Sequence, residues 1–229
     1  MWLSNVTPDR LDRMGAVKSL ELISPEAYLE GEPKAKCRYE YVAGRVYAMA
    51  GGSNTHNTIK TWLIGALVAR LRGKPCQPFD SDTKVRIQHP GGTRFYYPDA
   101  MVVCQANPGR EMYQDRPVVL VEVLSPSTRR DDEGPKRDDY FAIPTLAHYL
   151  LVETTAPRVT VFERTNGKIV SGVYEGLDAV IPLVAVGIEL PLKEIYERVD
   201  WAEAADDERA ENELIENGGW PAPDGPFKI

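Results

Sequence analysis

Two carboxylates lie in apolar stretches of the sequence, where an unpaired charge is costly. Glu122 stands within the run VVLVEVL (118–124), whose continuous apolar character is typical of a strand buried on both faces. Asp99 directly precedes a second apolar run, Ala-Met-Val-Val. A carboxylate in such a place must be paired with a cation, protonated or bound to a metal ion. The two residues therefore predict either a functional site or a structural ion pair.

The functional interpretation is a site for a divalent cation. If the two strands are neighbours, both carboxylates can point into one site. Its natural occupant is Mg²⁺ or Mn²⁺, because hard cations prefer oxygen ligands and share them with substrate phosphate. The structural alternative pairs the acids with an arginine such as Arg94 or Arg129. One acid in each of two apolar runs favours the functional interpretation.

The motifs around these acids resemble those of a nuclease family. Pro98-Asp99 followed by Glu122-Val123-Leu124 is similar to the metal-binding core of the PD-(D/E)XK nuclease superfamily. The wider succession resembles the Uma-type ("Uma two") restriction endonuclease family of bacteria, over about residues 22–196. It comprises, in chain order, Tyr39-Glu40-Tyr41-Val42 with Gly44, Met49-Ala50-Gly51-Gly52 with His56, Tyr96-Tyr97-Pro98-Asp99, residues 121–128, Lys136, Tyr140 and Tyr149-Leu150-Leu151-Val152.

The resemblance implies a restriction-endonuclease-like α/β core and a magnesium-dependent phosphodiesterase that acts on DNA. In such enzymes Asp99 and Glu122 would coordinate Mg²⁺ or Mn²⁺, with the Val123 carbonyl as a further ligand. Glu40 would supply a third acidic group from an early element. A lysine would orient or deprotonate the attacking water, while the metal polarises the phosphate and stabilises the leaving oxygen.

The lysine departs from the superfamily pattern. The motif has lysine two residues after the acid, where this chain has Leu124. In the Uma-type family the lysine lies on the next helix, which makes it Lys136, on the same helix face as Tyr140. Gly134-Pro135 predicts that Lys136 lies at a helix N-terminus, where the dipole disfavours its charged form. The alternative is a solvated lysine in the charged run RRDDEGPKRDD.

Each supporting residue also has a plain alternative. Strand alternation predicts that Glu40 faces the site, and the alternative is an exposed position on an edge strand. His56 lies in the first turn of a long helix. The functional interpretation is a contact with substrate or water, and the alternative is a capping or packing role for the helix. The hydroxyls of Ser125 and Ser127 are candidates for binding phosphate, and the alternative is that these residues form an ordinary turn. The basic pair at 129–130 contacts a nucleic-acid backbone, or it is simply solvated.

The elements that must position these residues predict an α/β fold with a mixed central sheet flanked by helices. Apolar residues at helical spacing predict a long helix between Ser53 and Gly73. Further predictions are short helices at about 25–30 and 135–143, hairpins around Ala43-Gly44 and Asn166-Gly167, strands at 79–87, 95–104, 117–124, 148–153, 158–164 and 168–174, and an apolar segment at 180–190. We expect a single restriction-endonuclease-like domain at 20–198.

Composition fits an ordinary globular domain. The 229 residues are 43% hydrophobic and 27% charged, and no apolar run approaches the roughly 18 residues that a membrane helix needs. The polar N-terminus carries no secretory signal pattern, so we expect a cytoplasmic protein without a membrane partner. Cys37, Cys76 and Cys104 are too few and too scattered for a disulfide framework or a zinc cluster.

Acidic charge is concentrated at the C-terminal end. The whole chain has a net charge of −7, while residues 194–229 alone carry −8 and residues 1–193 carry +1. A neutral body neither supports nor excludes a phosphate-rich partner, because a local patch is sufficient. The composition predicts a loose leader at 1–19 and a disordered acidic tail at 199–229. The tail is either solubilising or lies over the substrate groove as a mimic of phosphate.

The sequence thus favours a metal-dependent DNA endonuclease that uses Asp99, Glu122 and Lys136, supported by Glu40 and His56. One rival is a catalytically silent nucleic-acid-binding or assembly module with the same fold. A second rival is a glycosidase acid/base pair, which the apolar strands and the absence of nearby sugar-stacking aromatics disfavour. Cutting both strands of a duplex needs two sites, which makes a homodimer the expected assembly.

Overall fold

The computed structural model describes residues 22–49 and 51–217, so the predicted leader at 1–19 lies outside the described residues. Its helices are α1 (Pro25–Gly31), α2 (Asn54–Leu71), α3 (Arg129–Glu133), α4 (Pro135–Phe141), α5 (Leu192–Ile195) and α6 (Trp201–Glu216). Its strands are β1 (Tyr39–Val42), β2 (Arg45–Ala48), β3 (Gln77–Asp80), β4 (Lys84–His89), β5 (Gly92–Tyr96), β6 (Ala100–Val103), β7 (Tyr113–Gln114), β8 (Pro117–Val123), β9 (His148–Val152), β10 (Arg158–Thr165), β11 (Lys168–Glu175), β12 (Val180–Leu183) and β13 (Ile188–Pro191).

The strands form a mixed central sheet with a second sheet beside it. The central sheet has the order β11-β10-β9-β8-β6-β3, in which β8 and β9 are parallel and the other neighbours are antiparallel. The second sheet has the order β2-β1-β5-β4-β7, and β12 pairs with β13. The predicted mixed α/β fold with helices flanking a central sheet is confirmed.

The middle strand β8 is buried on both faces, as its continuous apolar run predicts. Val119, Val121 and Val123 face a core that α2 shares, where Ile59 and Leu63 are fully buried. Leu120 and Leu124 belong to a second core on the opposite face, which contains Tyr140, Phe141 and Tyr149. Because side chains alternate along a strand, Glu122 shares the face of Leu120 and Leu124. This face is the one covered by α4.

Two predicted strands are each divided between the two sheets. The segment 79–87 separates into β3 and β4, and the segment 95–104 separates into β5 and β6. The single-strand predictions are therefore wrong at these places. Pro98 has no backbone N–H to donate to a strand ladder, so the chain leaves the second sheet at 97–99 and enters the central sheet at Ala100. Asp99 lies at this crossing.

Both predicted hairpins are present, with a turn residue and a glycine at positive φ. Ala43 and Gly44 have φ values of 48° and 94° between β1 and β2, and Asn166 and Gly167 have 51° and 75° between β10 and β11. Two consecutive residues at positive φ match the right-handed twist of a two-residue hairpin. The first hairpin matters for the site because it presents Glu40 on β1.

The acidic C-terminal region contains a helix, so the prediction of disorder at 199–229 is wrong for α6. The Asp200 side chain accepts hydrogen bonds from the backbone N–H groups of Ala202 and Glu203 and caps the helix. The Trp201 ring lies 5.4 Å from the Tyr196 ring in a tilted arrangement, and Ala204 is buried. These contacts anchor a segment whose composition alone indicates a solvated tail. Residues 218–229 lie outside the described residues.

A disulfide joins Cys76 and Cys104, and Cys37 is free. The antiparallel pairing of β3 with β6 sets Gln77 opposite Val103 and so brings the two cysteines together. The cysteines are thus not too scattered for a single bridge, although they form no framework within the described residues. None of the helices in this part of the chain combines the length and apolar character needed to cross a bilayer.

Candidate active site

Asp99 and Glu122 are neighbours because the strands that follow and contain them are paired. The antiparallel β6–β8 pair sets Ala100 opposite Val121. The backbone N–H of Asp99 donates to Glu122 Oε2 at 3.2 Å, and that of Val123 donates to Asp99 Oδ2 at 2.8 Å. Only 13% of the Asp99 side chain and 5% of the Glu122 side chain are exposed. The backbone therefore fixes both carboxylates in one place.

Lys136 is surrounded by acids rather than solvated. Its Nζ lies 2.9 Å from Glu122 Oε1, 3.1 Å from Glu40 Oε1 and 3.5 Å from Asp132 Oδ1. Burial lowers the pKa of Lys136, but the Glu122 and Glu40 carboxylates more than offset this and raise it well above its usual value. The helix dipole, which by itself disfavours the charged form, is outweighed here by the three nearby carboxylates.

Glu122 is a deeply buried acid of the site. Its pKa is raised to about 8, mainly by burial and also by the Asp132 and Asp99 carboxylates, against the opposing effect of the Lys136 ammonium. The Tyr140 hydroxyl donates to Glu122 Oε1 at 2.7 Å, so Tyr140 contacts the site directly. A buried acid with a raised pKa is neutralised either by a proton or by a further cation. The site thus contains more carboxylates than the single ammonium group of Lys136 can neutralise.

His56 approaches Asp99 from the N-terminal turn of α2. His56 Nε2 lies 3.2 Å from Asp99 Oδ2. Burial lowers the pKa of His56, but Asp99 more than offsets this, and a hydrogen bond to the Val123 carbonyl adds to the net rise. Burial raises the pKa of Asp99, whereas His56 and the Val123 N–H lower it more strongly. Asp99 therefore stays ionised.

A glycine makes room for the His56 ring. A Cβ atom at Gly52 would lie 2.6 Å from His56 Nδ1, closer than real Cβ contacts permit. One residue earlier, a Cβ at Gly51 would meet nothing within 4 Å. The Ser53 hydroxyl caps α2 by accepting from the His56 N–H at 3.2 Å. Close backbone approach and a capped helix end together fix the imidazole beside Asp99.

Glu40 reaches the site from the second sheet. Its Oε1 accepts a hydrogen bond from the Tyr97 N–H at 3.2 Å and pairs with Lys136. Its neighbours Tyr39 and Tyr41 point to the other face of β1, into a separate aromatic core. The inward orientation expected from strand alternation is the one observed.

Two residues at the site escaped the sequence analysis. Lys60 Nζ lies 4.0 Å from Asp99 Oδ1, one helical turn after His56. Asp132 is buried, and the Tyr149 hydroxyl donates to its backbone carbonyl at 3.0 Å. Each stands four residues from a predicted site residue on a helical stretch, and this spacing was the available signal.

The structural alternative for the two acids is not observed. Arg94 pairs with Asp139 at 3.2 Å, and Arg129 pairs with Glu153 at 2.6 Å. Both arginines are thus engaged with acids other than Asp99 and Glu122.

All six predicted site residues line one open cavity of about 1070 Å³: Glu40, His56, Asp99, Glu122, Val123 and Lys136. Lys60 and Asp132 line it too. The charged groups are therefore withdrawn from bulk water yet reachable by a ligand that enters the cavity.

The donor set fits a cation that needs few protein ligands. No group of three or more histidine, cysteine or acidic side chains within residues 22–49 and 51–217 is arranged to hold a metal ion. Mg²⁺ is usually held by one or two carboxylates and completes its coordination with water and substrate phosphate. Asp99 and Glu122 provide two oxygen ligands side by side, in a cluster with excess acid. The residues present therefore fit Mg²⁺ or Mn²⁺.

Comparison with known proteins identifies the family of the chain. The family model Uma2, described as "Putative restriction endonuclease", matches residues 25–193, which fall within the predicted domain. Two proteins of Synechocystis sp. (strain ATCC 27184 / PCC 6803 / Kazusa) are similar. Uncharacterized protein slr1290 is 32% identical over 176 residues, or 76% of this chain and 91% of the relative. Uncharacterized protein sll1609 is 27% identical over 158 residues, or 68% and 88%.

A solved structure shares the fold. It is the crystal structure of a putative nuclease belonging to DUF820 from Anabaena variabilis ATCC 29413, which superposes with a TM-score of 0.59 at 15% identity and covers 76% of this chain and 97% of that one. With the family model matching most of its length, the chain belongs to the Uma2 family of restriction-endonuclease-like proteins.

Proposed function

We propose that this protein is a divalent-metal-dependent endonuclease that hydrolyses DNA phosphodiester bonds with Mg²⁺ or Mn²⁺. The observation that carries the proposal is the placement of Asp99 and Glu122 side by side in one open cavity, with Lys136 among the acids. Membership of the Uma2 family supports a nuclease. We infer DNA as the substrate from the family, and the need for a metal from the paired carboxylates.

Asp99 and Glu122 would hold the cation, with the Val123 carbonyl and Glu40 as further candidate ligands. When bound, the cation would polarise the scissile phosphate and stabilise the leaving oxygen. The backbone N–H groups of Asp99 and Val123 orient the two carboxylates, so this geometry does not depend on a ligand. Preorganised charges of this kind avoid reorganisation during the reaction.

Lys136 acts in this proposal as a fixed cation. The Glu122 and Glu40 carboxylates raise the pKa of Lys136 and so favour its charged form, which would orient water or phosphate. His56 holds Asp99 in position through the 3.2 Å contact. Cleavage of both strands of a duplex would use two copies of the site, which extends the proposal to a homodimer.

The test is nicking of supercoiled plasmid in Mn²⁺, with calorimetric titration of Mn²⁺ into the same samples. Wild type should bind the ion and nick the plasmid, and Asp99→Asn should lose both. The matched control is Asp115→Asn, since Asp115 pairs with Arg86 away from the cavity. Nicking by Asp99→Asn at the wild-type rate would contradict the proposal.

The absence of a three-ligand group in the described residues favours a second candidate, a nucleic-acid-binding module without catalysis. That candidate predicts DNA binding that does not depend on metal, and no nicking by wild type. The plasmid and calorimetric measurements separate the two candidates directly.

A further inference from the structure

Helix α6 turns part of its acidic surface toward the body of the protein. It contains seven acidic residues and one arginine. Its partly or fully buried positions recur at helical spacing and include Ala204, Asp207, Glu208 and Glu211. Leu214 and Ile215 are 47% and 43% exposed. A docked helix normally buries its apolar stripe, so this reversed arrangement requires a reason in the surface beneath.

The surface beneath Glu211 is a loop of hydrogen-bond donors, residues 125–128, which we call the hydroxyl loop. Glu211 Oε1 accepts from the Ser127 N–H at 3.2 Å and from the Ser127 hydroxyl at 2.6 Å. Ser125 Oγ lies 3.0 Å from Ser127 Oγ and 3.2 Å from Thr128 Oγ1. A backbone N–H and serine hydroxyls are the groups with which proteins hold phosphate oxygens. The loop therefore already binds an anion, supplied by its own chain.

The hydroxyl loop lies beside the acidic centre. It follows β8 directly, and Ser125, Ser127 and Thr128 line the same cavity as Asp99 and Glu122. Beneath α6, a smaller cavity is lined by residues from both sides, among them His56, Ser125, Asp207 and Glu211. The helix therefore shares this smaller cavity with His56 and Ser125, which also line the large cavity.

The two ends of α6 are held differently. Its first turn is anchored by the Asp200 cap, the Trp201 ring and the buried Ala204. Farther along, Asp207 Oδ2 is buried with no hydrogen-bond partner among the described residues, and the Glu211 contacts are exposed. Exposed hydrogen bonds exchange readily with water, and a buried unpaired acceptor is costly. The second half of α6 is therefore the part that can be displaced.

We propose that the hydroxyl loop is a phosphodiester-binding subsite next to the acidic centre, and that Glu211 occupies it as a phosphate mimic until a substrate strand displaces α6. This inference rests on the proposed function, because it takes the ligand to be DNA. It accounts for the inward acidic face of α6 and for the contact of Glu211 with the hydroxyl loop. It also assigns Ser127 as a substrate-binding residue.

The test is the affinity of the full-length protein for a fluorescent DNA duplex without divalent metal, measured by anisotropy at low salt. Glu211→Ala removes the mimic, and Glu213→Ala is the matched control because it removes the same charge from an exposed position on the same helix. Glu211→Ala should bind DNA about fivefold to tenfold more tightly than Glu213→Ala, which corresponds to the loss of one charge-assisted contact. Adding Ser127→Ala to Glu211→Ala should abolish this gain.

A second readout follows the helix itself. Hydrogen exchange of the amides at 208–216 should accelerate when DNA is added to wild type, and it should already be fast in Glu211→Ala. Equal affinities of the two single variants, a gain that persists without the Ser127 hydroxyl, or no DNA binding by Glu211→Ala would each overturn the subsite. Binding that follows the predicted pattern without any nicking in Mn²⁺ would support the subsite and overturn the hydrolytic function alone.

Discussion

The protein buries two lysines among carboxylates, and the two arrangements differ in charge balance and in access. In the Lys84 cluster (Glu32, Lys84, Tyr97), Lys84 Nζ lies 2.9 Å from Glu32 Oε2, and the Tyr97 hydroxyl donates to Glu32 Oε1 at 2.5 Å. Lys84 Nζ also lies 4.9 Å from the centre of the Tyr97 ring. One ammonium faces one carboxylate there, and neither Lys84 nor Glu32 is among the described residues that line the cavity.

The Lys136 cluster (Glu40, Asp99, Glu122, Asp132, Lys136) has one lysine in contact with three carboxylates, and a fourth acid beside it. It opens into the large cavity. A balanced, closed ion pair is a structural contact, whereas unbalanced acid next to an open cavity lowers stability and leaves room for a cation. The comparison teaches that charge excess and access, rather than burial of a lysine, distinguish the candidate active site from a structural ion pair.

The largest expected effect is on activity, at Lys136. Lys136→Ala should lower the rate of plasmid nicking by about 10²- to 10³-fold, the usual cost of removing one preorganised charge from a reacting centre. Mn²⁺ binding should be retained, because the carboxylates remain and lose a competing cation. Nicking rates and Mn²⁺ calorimetry on one sample check both statements, and full activity in this variant would remove Lys136 from the site.

The Lys84 cluster should respond in the opposite way. Glu32→Gln leaves the Lys84 ammonium buried without its anion, so the free energy of unfolding should fall by about 3–5 kcal/mol. Nicking by the folded protein should be unchanged. Urea unfolding measures the first effect and plasmid nicking the second. A loss of nicking without a loss of stability would reverse the assignment of the two clusters.

A smaller effect on activity is expected from the packing of His56. Gly52→Ala forces the imidazole away from Asp99 and should lower nicking about tenfold, since displacements of about 1 Å in a site can cost up to 10²-fold. Gly51→Ala is the matched control, because its Cβ meets nothing within 4 Å. Equal rates in the two variants would show that the position of His56 is not important for the reaction.

The smallest effect concerns a buried histidine outside both clusters. Burial lowers the pKa of His148, with Glu163 on the neighbouring strand opposing the shift, so the folded state binds a proton less readily than the unfolded state. Neutral His148 contributes fully to the free energy of unfolding above the unfolded pKa of about 6.5. This contribution is lost as the pH falls below that value, by at most about 1.4 kcal/mol per pH unit. Urea unfolding between pH 7 and pH 5.5 should show a steeper loss for wild type than for His148→Gln. Parallel losses would assign the acid sensitivity to other groups.

The strands and the long helix next to the site could be predicted because local patterns determine them. A continuous apolar run predicted β8, helical spacing predicted α2, and Asn166-Gly167 predicted a hairpin. The sequence left open whether β6 pairs with β8, which is the pairing that brings Asp99 next to Glu122. Local patterns do not determine which strands are neighbours.

Other features depend on contacts that no local pattern contains. The crossings at Ser81 and Pro98 divide strand-like segments, since the choice of sheet is made by distant partners. The charge of the α6 segment predicts a solvated tail, and its order comes from docking through Trp201 and Ala204. Lys60 and Asp132 join the site through packing of α2 and α3 around the two carboxylates.

The central claim is that the excess carboxylates of the Lys136 cluster form a binding site for a divalent cation. The most direct test is thermal unfolding of wild type and Glu122→Gln, each with Mn²⁺ and with a chelator. Glu122→Gln removes one anionic oxygen ligand at nearly constant side-chain size, and the chelator samples give the Tm of each protein without metal. Mn²⁺ should raise the Tm of wild type and leave that of Glu122→Gln unchanged. An equal Mn²⁺ shift in both proteins, or none in wild type at millimolar metal, would contradict the account.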